Sequence, residues 1–400
     1  FPVDFKQPGA HLFFTALTFP HITLGTALIL ISVRTLWRLV ARPSWPVAIA
    51  LGLAHLLLGI AYPFLLYLVM AIAALLLLYR LLQDRRIPWR LGWQTAVSFL
   101  IPAPLYVYYA VVLQTNAVFA AWDAQAGTPS APWPHYLLAF GPMLLLGALF
   151  WWRRPAQRAE TAVLWLWVLA AALLLYAPLN PQRRFVQGVH APLAILAARG
   201  WLDVVLPRLA RSRPWRRLVA HPRYSTAGLA RLLTAGFLFG MSVSNLYVLA
   251  SLTLSGAVQQ PDPLFRPRAE LDAAAWLRAN APLNTVVLGA YQTGNLVAAQ
   301  AGQRVVLGHW AETVDPDTKT AEVARFFAAS TPHAWRAALL TRYRVAYVWF
   351  GPREAGAADG AADEAAGGRR ETAVFNPAAA PYLSPVYTND TITIYQVTTP

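Results

Sequence analysis

Residues 45–79 read WPVAIALGLAHLLLGIAYPFLLYLVMAIAALLLLY, without a single Asp, Glu, Lys or Arg. A membrane-crossing helix needs only ~20 apolar residues to span the hydrocarbon core, so this stretch is too long for one crossing and too apolar for water. Tyr62-Pro63 falls at its midpoint. Proline lacks the amide donor, clashes with the preceding turn and pushes its predecessor out of the helical region. Two short antiparallel helices meeting at Tyr62-Pro63 are the predicted result, and the fold they imply is a polytopic α-helical membrane bundle.

Further uncharged stretches lie on both sides of this one, at 11–33, 91–113, 135–152, 161–178, 185–198 continuing toward 206, and 232–254. Together they predict about eight membrane helices within a transmembrane region covering 1–260. Composition agrees: 57% of the chain is hydrophobic and 13% charged, where a soluble domain carries about a quarter charged residues. The net charge of +15 has its cause in Arg-rich loops that stay in the cytoplasm. Nucleic acid is excluded as a partner, since no basic stripe interleaves with exposed aromatics. Alternating the crossings gathers Arg34, Arg38 and Arg42, then Arg80, Arg85, Arg86 and Arg90, then Arg153, Arg154 and Arg158, then the run from Arg208 to Arg223, on one side. That side is predicted to be cytoplasmic. Tyr62-Pro63, the segments 114–134 and 179–184, and everything after Ser255 then lie outside. With no cysteine in the chain, disulfides and thiolate chemistry are excluded. The sequence opens at Phe1 with no basic n-region, so a fragment lacking its first helices is expected.

Beyond Pro261 the pattern changes to that of a small extracytoplasmic α/β domain, 261–400. A helix is predicted over 269–280 with Leu271, Ala275 and Leu277 inward. Strands are predicted at 285–288, 304–307 and 345–350, helices at 294–300, 320–329 and 332–343, and a closing hairpin pairs 384–387 with 391–397. The Ala/Gly/Asp/Glu-rich stretch 355–370 is expected to be a disordered insert.

The sharpest local signal runs from Asn180 to His190, NPQRRFVQGVH. Arg183 and Arg184 sit on the face where the charge bias disfavours cations, at the depth of a lipid phosphate. Arginine grips phosphate through charge-assisted, bidentate hydrogen bonds. Arg184 and Arg183, with Gln182 and His190 nearby, are therefore the candidate lipid-phosphate residues; snorkelling to headgroups or pairing with Asp123 is the competing reading. Asp123 and Asp4 are the outward carboxylates that could act as a base, each a weak candidate. His21, His55, His135 and His190 are scattered singly and predict no metal site. In the α/β domain, Gly289-Ala290-Tyr291-Gln292-Thr293-Gly294 mimics a dinucleotide turn but has the wrong glycine spacing. His309, Trp310 and Glu312 gather an imidazole, an indole and a carboxylate at a strand end, as a sugar- or acceptor-contacting loop would.

The broken Tyr62-Pro63 pair, the outer loop Gln182-Arg183-Arg184-Phe185 with Gly188-Val189-His190, the last basic loop, one more crossing and then an α/β domain resemble the GT-C class of membrane glycosyltransferases. Bacterial relatives of the protein mannosyltransferase and oligosaccharyltransferase type come nearest. Trp276-Leu277-Arg278-Ala279-Asn280, Gly308-His309-Trp310 and the run from Val345 to Glu354 look like that group's C-terminal domain. The resemblance implies transfer of a sugar from a polyprenyl-phosphate carrier to an acceptor at the outer face of the plasma membrane. It also implies that the main catalytic carboxylates, and any divalent metal they hold, belong upstream of residue 1. A protein that binds or flips lipid-linked glycan, or an assembly subunit, is the alternative.

Overall fold

The computed structural model describes residues 10, 12–125, 127–262, 264–356 and 374–398, with backbone alone at 159 and 160. Asp4 lies outside these residues, as does the expected disordered insert from 357 onward. The chain forms two compact units: residues 1–116 with 126–252, and residues 117–125 with 253–400.

The first unit is helical. Among the described residues, Pro20–Ala41, Leu65–Asp84, Trp133–Arg153 and the composite Gln182–Ala210 are long and apolar enough to cross a membrane. Trp45–Ala61 and Thr161–Leu174 are shorter apolar helices. The helices either side of the Tyr62-Pro63 break are Trp45–Ala61 and Leu65–Asp84. Two stretches expected to be single crossings are broken. Trp89–Leu100 and Ala103–Thr115 bend by 48° where Pro102 removes a donor, and the helices starting at Thr226 and Val243 bend by 49°. At the second break Ser242 Oγ donates back to the Leu238 carbonyl at 2.8 Å, a bond that loosens the helical ladder. These helices make the protein a multi-pass membrane protein.

Close helix approach in this unit rests on small residues, as lipid supplies no hydrophobic drive between helices. Trp133–Arg153 packs on His190–Gly200, and a Cβ added at Gly200 would collide with the Leu146 carbonyl. Loops predicted to share a side do meet. Thr128 N–H donates to the Asn180 carbonyl at 2.9 Å and Arg183 N–H to the Thr128 carbonyl at 3.0 Å. At the other end, Arg154 Nη2 donates to the Asp203 carbonyl at 2.5 Å.

The second unit is a three-layer α/β sandwich. Its strands are β1 Val286–Leu288, β2 Arg304–Val305, β3 Val345–Phe350, β4 Leu383–Thr388 and β5 Thr393–Val397, in spatial order β2-β1-β3-β5-β4. β2, β1 and β3 run parallel, and β5 and β4 are antiparallel to their neighbours. Alternation along the strands sends side chains to two cores. Leu288 and Val348 join Phe326, Phe327 and Leu339 on one face. Val287 and Trp349 join Ala273, Leu277 and Val297 on the other.

The helix Arg268–Asn280 corrects the sequence reading. Glu270, Ala273, Ala274 and Leu277 face inward, whereas Leu271 and Ala275 are exposed. The expected phase had Leu271, Ala275 and Leu277 inward. In the fold Glu270 is neutralised by Arg266 at 3.2 Å and Arg353 at 2.6 Å, so the inward stripe takes the i, i+3, i+4, i+7 spacing through it.

Candidate functional site

The segment after Asn180 is tied down residue by residue. Gln182 Nε2 donates to the Ala177 carbonyl at 2.8 Å, and its Oε1 accepts from Ser130 N–H at 3.3 Å. Gln187, fully buried, donates to the Ile22 carbonyl at 2.7 Å and to Thr26 Oγ1 at 3.1 Å. Gly188 sits at φ +79°, where an L side chain would be strained and a Cβ would press on Trp167 at 3.2 Å. Between these anchors, Gln182–Val186 forms a 3₁₀ turn carrying Arg183 and Arg184.

The two arginines differ. Arg183 is exposed, while Arg184 is half-buried. Arg184 Nη1 donates to Tyr62 Oη at 2.6 Å, and its guanidinium lies 5.8 Å from the ring centres of both Tyr62 and Phe64. Tyr62 is itself buried, with His21 tilted against it at 6.0 Å between ring centres. Pro63 is held through its carbonyl, which accepts from Tyr106 Oη at 2.6 Å. The proline break and Arg184, read separately in the sequence, are thus one structure. The break is what lets an aromatic hydroxyl turn away from its own helix toward Arg184. No carboxylate pairs with Arg184 among the described residues. A guanidinium has five N–H donors, so the fork retains donors for an anion.

The other candidates separate. Gln182 is committed to backbone groups and positions the turn. His190 opens the next helix and lines a cavity of about 170 Å³ with Phe140, Pro142, Met241 and Ser244, at the break after Met241. Asp123 lies in the short helix Ala117–Gln125, which falls in the second unit. His309 and Trp310 are both exposed, their rings 6.0 Å apart and nearly parallel, and Glu312 is exposed on the same turn. That turn is closed by Gly308 N–H donating to Thr313 Oγ1 at 3.2 Å. Among the described residues no three His, Cys, Asp or Glu side chains gather as a metal site, so these residues do not supply the divalent-metal centre that the GT-C resemblance implies.

Two buried ionic groups in the second unit escaped the sequence reading. Arg336, 1% exposed, donates to the carbonyls of Phe326 at 2.7 Å, Thr331 at 2.5 Å and Ala328 at 2.5 Å, with Phe375 stacked 3.7 Å away. Glu354, fully buried, accepts at Oε1 from Ala290 N–H at 2.9 Å and Thr293 Oγ1 at 2.6 Å. Desolvation pushes its carboxyl up to about 7, against the hydrogen bonds that favour the charged form. The only signal for it was a carboxylate directly after the strongest predicted strand.

No family model matches the sequence, and no curated protein is similar to it. Among solved structures, the chain is similar to the Archaeoglobus fulgidus oligosaccharyltransferase. The crystal structure with Zn and sulfate shares 14% identity at a TM-score of 0.40, over 94% of this chain and 55% of that one. The apo form gives 14%, 0.43, 87% and 54% for the same four quantities. The complex with an inhibitory peptide and a dolichol-phosphate gives 15%, 0.35, 86% and 47%. The chain thus spans about half the length of these structures.

Proposed function

We propose that this chain is a membrane glycosyltransferase of the GT-C class, or part of one, in which Arg184 holds the phosphate of a polyprenyl-phosphate sugar donor at the outer face of the plasma membrane. The observation that carries this reading is the half-buried guanidinium fixed by Tyr62 Oη at 2.6 Å without a carboxylate partner among the described residues. A cation kept on the disfavoured side and left with open donors is matched to an anion. Negative charge grows on the departing phosphate as the sugar leaves, and a pre-oriented guanidinium stabilises charge where it develops. Arg183, exposed on the same turn, adds a weaker second cation. His309, Trp310 and Glu312 contact the acceptor. Of the two carboxylate candidates for the base, Asp123 stands in the helix Ala117–Gln125, and Asp4 remains a candidate from the sequence.

Binding of a polyprenyl phosphate to the chain in nanodiscs tests the reading. Arg184→Ala is expected to weaken it by on the order of ten- to a hundredfold, the equivalent of one charge-assisted bond, and Lys to recover only part. Unchanged affinity in both Arg184→Ala and Arg183→Ala sinks the proposal. The orientation is tested by cysteine labelling in a chain with no native cysteine: reagent added outside should reach Ser384→Cys and not Ser212→Cys, and the reverse pattern overturns it.

A further inference from the structure

From Arg208 to Arg223, across the end of the crossing Gln182–Ala210 and the loop after it, the chain carries six arginines, all of them exposed. No Asp or Glu occurs between Asp203 and Asp262. Among the described residues none of the six enters an ion pair. A topological bias requires only that such cations gather on one side and is indifferent to how they are arranged.

The fold gives three of them an arrangement. Arg213–Val219 is a short helix whose start is capped by Ser212 Oγ, which accepts from Trp215 N–H at 3.3 Å. Trp215, 5% exposed, and the half-buried Val219 four residues on turn one side of it inward. With ~3.6 residues per turn, the opposite side carries Arg213, Arg216 and Arg217, related as i, i+3 and i+4. Side chains at those spacings are neighbours, and like charges there repel. The buried indole thus fixes three guanidiniums on one face against their own repulsion, with no carboxylate to relieve it. Pro214 and Leu218, both exposed, make an apolar flank beside them.

A soluble anion would match the charge and leave that flank in water. A phospholipid matches both: guanidiniums take its phosphate through charge-assisted, bidentate bonds, and its acyl carbons meet the apolar flank. The helix is also held at the bilayer surface from both ends, since one crossing finishes at Ala210 and the next membrane helix starts at Thr226.

We propose that the helix Arg213–Val219 is a binding face for an anionic phospholipid, in the leaflet at the end of Gln182–Ala210 away from Arg184, with Arg213, Arg216 and Arg217 on the headgroup phosphate and Leu218 against the chains. It stands independently of the glycosyltransferase reading. In a chain with no native cysteine, Ala220→Cys, exposed beside the three arginines, takes a single bimane label, and the full chain is placed in phosphatidylcholine nanodiscs. Acyl-brominated phosphatidylglycerol or phosphatidylcholine is then added as quencher, a readout local to this helix. A basic residue at an anionic surface is worth about fivefold in affinity, so three should give phosphatidylglycerol a preference on the order of a hundredfold. Arg216→Gln should cut that preference about fivefold, and glutamine at all three positions should abolish it. The decisive variant keeps the charge and moves it: Arg216→Leu with Leu218→Arg retains three arginines but takes one off the shared face, and should lose as much as Arg216→Gln. Glycerol phosphate, the headgroup without its chains, should not displace the lipid. Equal quenching by the two lipids, or full preference in the swapped chain, overturns the site and leaves charge count alone. Displacement by glycerol phosphate overturns it in favour of a soluble anion.

Discussion

The two units bury polar atoms in opposite ways. In the membrane unit no Asp, Glu, Lys or Arg is buried among the described residues, and several polar side chains bond to backbone: Thr26 Oγ1 donates to the Ile22 carbonyl at 3.0 Å, Ser98 Oγ to the Thr95 carbonyl at 2.7 Å and Gln187 Nε2 to the Ile22 carbonyl at 2.7 Å. The α/β unit buries whole charges, namely Arg266, Glu270, Arg336 and Glu354. The difference follows from the solvent each unit meets. In lipid an apolar interior is no drier than the surroundings, so helices gain by close approach on glycine and satisfy polar groups locally. In water a sheet domain is driven together by apolar burial, and that drive can carry desolvated ions inside, where they hold loops in one arrangement.

If this contrast is right, the largest loss should come from Arg336. Arg336→Met removes the donors from three carbonyls at the end of Pro316–Phe327 and leaves them buried. Each buried carbonyl left without its donor costs about 1–3 kcal/mol. Hydrogen exchange should then rise throughout β3 and β5 while the membrane helices stay protected. Uniform protection in both units would show that the guanidinium is not what holds the second one.

Glu354 should give the next largest effect, and it should depend on pH. Its carboxyl titrates near 7 rather than 4.5, so between those values the folded state binds a proton that the unfolded state has released. The contribution of this group is full below the ordinary carboxylate range, and about 3 kcal/mol of it is lost as pH rises through 7. The groups facing it are Thr293 Oγ1, Ala290 N–H and the Glu270 carboxylate, whose charge pushes the same way as burial. Exchange at 286–294 should accelerate from pH 5 to 8 in the parent, after correction for intrinsic rates, and Glu354→Gln should flatten that slope. A parallel slope in the variant would assign the pH dependence elsewhere.

These two residues also mark where sequence reading stopped. Periodicity located β3, the closing hairpin and the break at Tyr62-Pro63, because strands, turns and prolines act within a few residues of themselves. It misplaced the inward face of Arg268–Asn280, since Glu270 is held inward by Arg266 and by Arg353, the latter 83 residues away along the chain. It took 91–113 and 232–254 as crossings without locating the bends at Pro102 and Ser242. Of the candidate site, the charge bias singled out Arg184. Tyr62 as its partner was invisible, because the hydrogen bond joins residues 122 apart.

A smaller effect should come from the glycine packing of the membrane unit. Gly200→Ala places a methyl group against the Leu146 carbonyl. Relief requires Trp133–Arg153 to move away from His190–Gly200, and overpacking of this kind costs about 1–3 kcal/mol. Gly236→Ala, where an added Cβ meets nothing within 4 Å, serves as the control. Cysteine pairs across the two helices should cross-link more slowly in the first variant and at the parent rate in the second.

The smallest effect should come from Tyr62→Phe, and its direction decides how Arg184 works. The ring survives, so the aromatic contact at 5.8 Å is kept and only the hydroxyl that accepts from Nη1 is lost. Two outcomes compete. Freeing Nη1 gives the guanidinium one more donor for phosphate, which would tighten binding. Losing the anchor also lets a long side chain sample other rotamers, and immobilising such a chain costs about 0.5–1.5 kcal/mol on association. Arg184 still has donors available without Nη1–H to Tyr62, so the extra donor adds little while the ordering cost is incurred in full. Affinity for polyprenyl phosphate should therefore fall, by about two- to tenfold, well short of the loss in Arg184→Ala. Tighter binding would mean that Tyr62 competes with the ligand rather than presenting the arginine to it.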